Sequence, residues 1–290
     1  MGLSQQRFEF CKLWIDERNC GMVFRADICT RKNKYKMATN KKIALVTGGS
    51  RGLGKNTALH LAKKGIDVVI TYHSRNDEAD KVVAEIQGMG GKAAALQLDS
   101  SNTKTFDGFF EQLSTTLKNI FGTERFDFLI NNAGTALYAS FTETTEEQFD
   151  NIVNIHLKGV YFLSQKALKL MNDGGRIINL SSGLARIIIP GSSVYGTMKA
   201  AIDTLSKYMA QELGSRGIAV NAVAPGAIET DFGGGRVRDN EDINKHIASL
   251  TALGRVGVPD DIGGVVAFLC TEEGRWINAQ RIEASGGQSI

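Results

Sequence analysis

From Lys41 onward, short apolar runs alternate along the chain with longer stretches whose apolar positions recur every three or four residues. The runs at 43–47, 67–72, 93–98, 128–131, 176–180, 219–223 and 281–284 have strand length. Between them the helical period predicts helices at 54–64, 77–88, 103–119, 145–171, 194–214 and 260–270. Strands alternating with helices predict an α/β fold, a doubly wound parallel sheet of about seven strands with helices on both faces. Proline occurs only at Pro190, Pro225 and Pro259, each beside an expected element boundary, and there is no internal repeat. Residues 37–290 therefore read as a single domain.

Residues 1–36 lack either period. They hold eight basic and four acidic residues and three of the four cysteines, without the uninterrupted apolar core of a secretory signal. Glu9, Asp16, Glu17 and Asp27 argue against a transit peptide. The segment is expected to be an extension outside the fold, upstream of Met37.

Charge and composition narrow the function. A net charge of +3 makes no electrostatic case for nucleic acid or an anionic membrane, and no apolar run approaches the roughly 20 residues a bilayer span needs. Cys11, Cys20, Cys29 and Cys270 form no C-x-x-C pair and no disulfide framework, so a cytoplasmic protein is expected. His60, His73, His156 and His246 lack metal-ligand spacing; each reads as a surface or capping histidine, and no metal site is expected.

The first strand runs into Thr47-Gly48-Gly49-Ser50-Arg51-Gly52-Leu53-Gly54, followed by a helix. A strand, a glycine-rich turn and a helix start in that order set backbone N–H groups and a positive dipole end against a pyrophosphate. The spacing G-x-x-x-G-x-G with a leading Thr resembles the short-chain dehydrogenase/reductase family. Further elements of that pattern follow in order over about residues 41–290: Asp99, Asn131-Asn132-Ala133-Gly134, Asn154, Ser182, Tyr195-x-x-x-Lys199 and Pro225-Gly226-x-Ile228-x-Thr230. The resemblance implies a Rossmann-like, compact single-domain oxidoreductase moving a hydride between a nicotinamide and a carbonyl or alcohol. Its nearest branch is the 3-oxoacyl-[acyl-carrier-protein] reductases, with sugar, steroid-like and small-ketone substrates equally open.

An acidic residue ending the second strand would bind a ribose 2′-OH and repel a 2′-phosphate. This chain has Tyr72-His73-Ser74-Arg75 there, so Arg51, Ser74 and Arg75 are candidates to hold the phosphate of NADP(H), against the reading that both arginines are solvated surface charges. By resemblance, Asp99 meets the adenine, although a helix cap is its rival role. The resemblance also sets Asn131, Ala133 and Gly134 near the adenosine, and Ile228 and Thr230, after Pro225 and Gly226, at the nicotinamide carboxamide.

Tyr195 and Lys199, four apart, share one face of a helix. A lysine ammonium favours the phenolate and lowers a tyrosine pKa from about 10, which suits Tyr195 to general acid and base work. Ser182 follows the fifth strand, whose carboxyl end delivers side chains to the cleft. By resemblance Ser182 orients the substrate oxygen, Asn154 holds a water leading from Lys199 to solvent, and Lys199 also grips the nicotinamide ribose. Residues 231–253, with Gly233-Gly234-Gly235, Arg236 and Arg238, fall where the family carries a substrate-covering segment. The family also implies a homo-oligomer, a tetramer or dimer, built through the two long helices and the last strand. A sensor that binds NADP(H) without turnover is the rival reading; a nucleotide-sugar epimerase would need a larger C-terminal part.

Overall fold

A computed structural model describes residues 41–290; the expected extension at 1–36 lies outside the described residues. In chain order the elements are β1 (Ile43–Val46), α1 (Gly52–Lys63), β2 (Asp67–Tyr72), α2 (Asn76–Gly88), β3 (Ala93–Gln97), α3 (Phe106–Thr116), β4 (Phe126–Asn131), α4 (Glu146–Val153) and α5 (Gly159–Ala167). They continue with β5 (Met171–Leu180), α6 (Ser193–Leu213), β6 (Ala219–Pro225), α7 (Arg236–Asp239), α8 (Glu241–Ser249), α9 (Asp260–Leu269) and β7 (Arg281–Ala284). The strands form one sheet in the order β3-β2-β1-β4-β5-β6-β7, every pairing parallel.

The period of two along each strand builds the two layers. Val46, Ile70, Ile130, Ile178 and Val223 face one side and pack with Ala58 and Leu61 of α1 and Val266 of α9. Their neighbours Leu45, Val69, Leu129, Ile177 and Val220 face the other, against Phe109 and Leu113 of α3, Leu163 of α5 and Ala210 of α6. Both faces are buried, which is why the strands read as continuous apolar runs. Strand order reverses between β1 and β4, opening a crevice at their carboxyl ends. The opposite edge is closed by buried carboxylates: Asp127 accepts from Lys42 Nζ at 2.8 Å and from the Ile43 N–H at 2.9 Å, and Asp67 accepts from the Lys92 N–H at 2.8 Å.

Three expectations are corrected. The helix anticipated over 145–171 is two helices joined by a π turn at Asn154–Lys158, and it ends at Ala167. Met171 already pairs with Phe126, so β5 begins five residues before the expected Arg176, with an irregularity at the polar, Gly-rich stretch 172–175 that hid it. The helix expected at 103–119 is a short 3-10 turn, α3 and a second π turn, Leu117–Phe121. The segment 231–253, where the family carries a substrate-covering segment, contains α7 and α8.

Candidate active site

The glycine turn is tied down before it meets any ligand. The Thr71 hydroxyl of β2 accepts from the Gly48 N–H at 3.1 Å, and the Thr71 carbonyl accepts from Gly49 N at 2.8 Å. The Asn132 amide donates to the carbonyls of Thr47 and Gly48, while the Thr47 hydroxyl accepts from the N–H groups of Asn132 and Ala133. The 131–134 turn and the glycine turn are thus one unit, and Thr47 is the residue that joins them. A Cβ on Gly54 would stand 2.1 Å from the Gly48 carbonyl oxygen, so the first turn of α1 lies against the loop only because residue 54 is glycine. Gly52 has φ +54°, and a Cβ there would project toward Thr230 and Asp231. Between them opens a cleft of about 300 Å³ lined by Gly52, Lys55, Asn56, Thr230 and Asp231. A cradle that a side chain would fill, at the N-terminus of a 12-residue helix, fits the pyrophosphate of a dinucleotide.

The other nucleotide candidates are distributed around this cleft. Ser50 and Leu53 flank the turn. Arg51 is ion-paired with Asp231 and Arg75 with Glu78, each guanidinium about half exposed; Ser74 is exposed beside Arg75. Asp99 accepts from the Ser101 N–H at 2.9 Å and its hydroxyl at 2.6 Å, which with the charge of His73 outweighs burial and holds its carboxyl below the usual range. The cap of the following turn is Asn102, not Asp99, which removes that rival role. Asn131 is buried, its amide spent on Ser164 at 2.9 Å and Asn179 at 2.8 Å. Pro225 ends β6, a Cβ on Gly226 would meet Gln288 and Ser285, Ile228 bridges to Gly257, and Thr230 is buried beneath the Phe232 N–H.

Ser182, Tyr195 and Lys199 come together at the carboxyl end of β5. Residues 193–213 form one unbroken helix, so Tyr195 and Lys199 are stacked one turn apart, and the ammonium lies 5.5 Å from the centre of the phenol ring. The Ser182 hydroxyl is the polar side chain that acts on the Tyr195 phenol. The Ser182 oxygen also accepts from the Leu184 N–H at 3.1 Å. Lys199 Nζ donates to the Leu180 carbonyl at 2.6 Å. Asn154 opens the π turn that packs against α6, and the widened turn turns this stretch of helix toward Tyr195.

Electrostatics in this pocket differ from the sequence expectation. Burial pushes the Tyr195 phenol above its ordinary pKa; the Ser182 bond opposes this and the Tyr138 phenol adds to it. Burial draws Lys199 down to about 8, against the pull of Asp203. Dehydration, rather than the ammonium, dominates the phenol: burial outweighs every polar group that acts on it.

His156 corrects a second expectation. It is buried in the π turn, its ring edge-on to Tyr195 at 5.1 Å, and its Nε2 lies 2.8 Å from the Thr135 carbonyl. A Cβ on Gly134 would stand 2.6 Å from the imidazole, so that glycine makes room for it. Burial first, then the Lys199 charge, hold it neutral, with a pKa near 3. Phe232 closes the other flank of Tyr195 at 5.9 Å, and Tyr138 lies under the Arg236 guanidinium at 5.2 Å. A lone histidine and two aromatics carry no sequence signal; only the glycine at 134 hinted at a close approach.

A dinucleotide cradle and a Ser-Tyr-Lys cluster at one end of a parallel sheet define a nicotinamide-dependent oxidoreductase. A family model described as enoyl-(acyl carrier protein) reductase matches residues 48–289. A tetrahydroxynaphthalene reductase of Pestalotiopsis fici is 38% identical over 257 residues, covering 85% of this chain and 91% of its own. The crystal structure of an angucycline C-6 ketoreductase with bound NADP aligns with a TM-score of 0.81 at 38% identity, covering 86% of this chain and 95% of that one. A short chain dehydrogenase of Burkholderia cenocepacia in complex with NADP gives 0.78 at 36% identity, covering 85% and 97%. The chain belongs to the short-chain dehydrogenase/reductase family. It is an NADP(H)-dependent oxidoreductase acting between carbonyl and alcohol.

Proposed function

We propose that this enzyme reduces the ketone of a flat, fused-ring aromatic substrate, with Tyr195 as the general acid. NADPH, held by the glycine turn, Arg51, Ser74, Arg75, Asp99 and the 225–230 segment, supplies the hydride. Ser182 donates to the carbonyl oxygen and Tyr195 delivers the proton as the alkoxide develops. A phenol whose pKa is raised by burial keeps its proton at neutral pH, which is the state that carbonyl reduction requires. Lys199 places a positive charge beside the phenol and thereby eases its loss of that proton; Asn154 holds a water on the path to solvent.

The buried Tyr195 phenol, with Lys199 one turn away and Ser182 acting on it, supports the catalytic roles most directly. For the substrate, Phe232, 5.9 Å from the Tyr195 ring, and Tyr138, whose phenol acts on that of Tyr195, give the site an aromatic flank. Two relatives bear names of fused-ring aromatic reductases. The test is NADPH consumption with 2-tetralone against an acetoacetyl thioester. Higher kcat/KM for 2-tetralone is expected, and preference for the thioester refutes the aromatic assignment. Tyr195→Phe is expected to lose about a thousandfold in kcat while binding NADPH normally, and retained turnover removes Tyr195 from its role. Tight NADPH binding with no carbonyl turned over would favour a sensor.

No helix among the described residues is long and apolar enough to cross a membrane. With the cysteine usage, this supports a cytoplasmic enzyme. Exposed Phe149 on α4, Tyr161 and Phe162 on α5 and Tyr208 on α6 support a homo-oligomer, a dimer or tetramer, assembled through these helices.

A further inference from the structure

Behind the Ser182, Tyr195 and Lys199 cluster runs a chain of alternating charges that substrate and cofactor chemistry do not use. Arg186, just after the 3-10 turn Gly183–Ala185, grips Glu283 of β7 through two bonds, Nε to Oε2 at 3.0 Å and Nη2 to Oε1 at 2.5 Å. Glu283 also accepts from Arg281 Nη1 at 2.7 Å. Arg281 Nε donates to Asp203 Oδ2 on α6 at 2.9 Å, and its Nη2 reaches over β6 to the Ser182 carbonyl at 3.2 Å. Asp203 is one helical turn from Lys199 on the same face of α6. The side chains of Arg281 and Asp203 are only 22% and 14% exposed, and Asp203 Oδ1 is buried with no hydrogen-bond partner among the described residues.

Taking Arg281, Asp203 and Glu283 largely out of water is costly, and attraction offsets this only where geometry is good and the remaining polar atoms are bonded; Arg186, 42% exposed, lies nearer solvent. Here the bonds fall on successive backbone sites of one loop. Lys199 takes the Leu180 carbonyl, Ser181 Oγ donates to the Lys199 carbonyl at 3.3 Å, Arg281 takes the Ser182 carbonyl, and Arg186 ties the loop's far end to Glu283. Arg281 thus holds the Ser182 peptide while the Leu184 N–H holds its hydroxyl.

We propose that Arg281 and Asp203 are positioning residues for the reduction: Arg281 fixes the Ser182 peptide, and Asp203, kept in place by Arg281, holds the Lys199 ammonium charged. This rests on the catalytic reading of Ser182, Tyr195 and Lys199 given above. The groups that face Lys199 are Tyr195 and Asp203 on α6, neutral His156 from the π turn, and Arg281 through Asp203. Asp203 opposes the drop in the Lys199 pKa that burial causes.

Two signs follow. Asp203→Asn removes a negative charge, so Lys199 and Tyr195 both lose protons more readily and the alkaline fall in kcat moves to lower pH by about half a unit or more. Arg281→Met leaves Asp203 uncompensated, so that limb moves to higher pH, while kcat at neutral pH falls about tenfold with the NADPH Kd unchanged. Arg281→Lys keeps the charge: the limb stays near wild type and kcat recovers in part. The profiles are measured with 2-tetralone and NADPH. Independently of any carbonyl, the ultraviolet phenolate titration of the NADP+ complex, as the difference from Tyr195→Phe, is expected to move with the same signs. The double variant Asp203→Asn, Arg281→Met, a neutral pair, serves if a single variant does not fold, and its kcat is expected to stay reduced. Limbs that do not move, or a folded double variant with wild-type kcat, overturn the proposal. Retained turnover in Tyr195→Phe would instead overturn the catalytic reading.

Discussion

His156 shows how a single residue couples stability to the site. Its imidazole is buried and neutral, with a pKa near 3 against about 6.5 in an unfolded chain. A depressed folded pKa gives stability that is complete above the unfolded value and lost as pH falls toward the folded one. The loss therefore begins near pH 6.5 and continues toward 3, at up to about 1.4 kcal/mol per pH unit. His156→Gln is expected to flatten the pH dependence of the urea midpoint between about pH 6.5 and 5; an unchanged slope would place that dependence elsewhere. Ser182, Tyr195 and Lys199 were legible because helical spacing and the end of a strand set them in place by local rules. His156, Asp203 and Arg281 were not: Arg281 meets partners 78 and 99 residues away in sequence, and no local pattern encodes such a meeting.

At the scale of elements, β1, β2, β4 and β6 were readable from buried apolar runs, because a sheet covered on both faces leaves little polar interruption, whereas β7 is only half-buried and carries Arg281 and Glu283. The break in the long helix was not, since a π turn keeps helical composition while adding a residue to one turn. Its tight fit is testable. A Cβ on Gly159 would stand 2.1 Å from the Ser100 carbonyl and 2.8 Å from that of Asn154, both backbone atoms that cannot yield cheaply. Gly159→Ala is therefore expected to cost about 2–4 kcal/mol and to lower kcat by disturbing Asn154. Gly108 in α3 has open space and ordinary helical geometry. Gly108→Ala is expected to be neutral or to stabilise by up to about 1 kcal/mol. Chemical denaturation of the two variants compares them directly, and equal effects would contradict the packing at Ser100.

For the whole molecule, the surface on α4, α5 and α6 makes the assembly testable. Tyr161→Asp with Tyr208→Asp places charge on the exposed aromatics and is expected to shift light-scattering mass toward the monomer; an unchanged mass would move the interface elsewhere. The parallel arrangement also segregates duties. Glycine turn, Ser182 and the 225–230 segment follow the carboxyl ends of the strands, whereas the Lys42–Asp127 and Asp67–Lys92 bonds lie at the amino ends. A change beside Ser182 or in the 225–230 segment therefore lies a strand's length from the carboxylates that tie down the amino ends, so retuning which ketone is accepted need not loosen them.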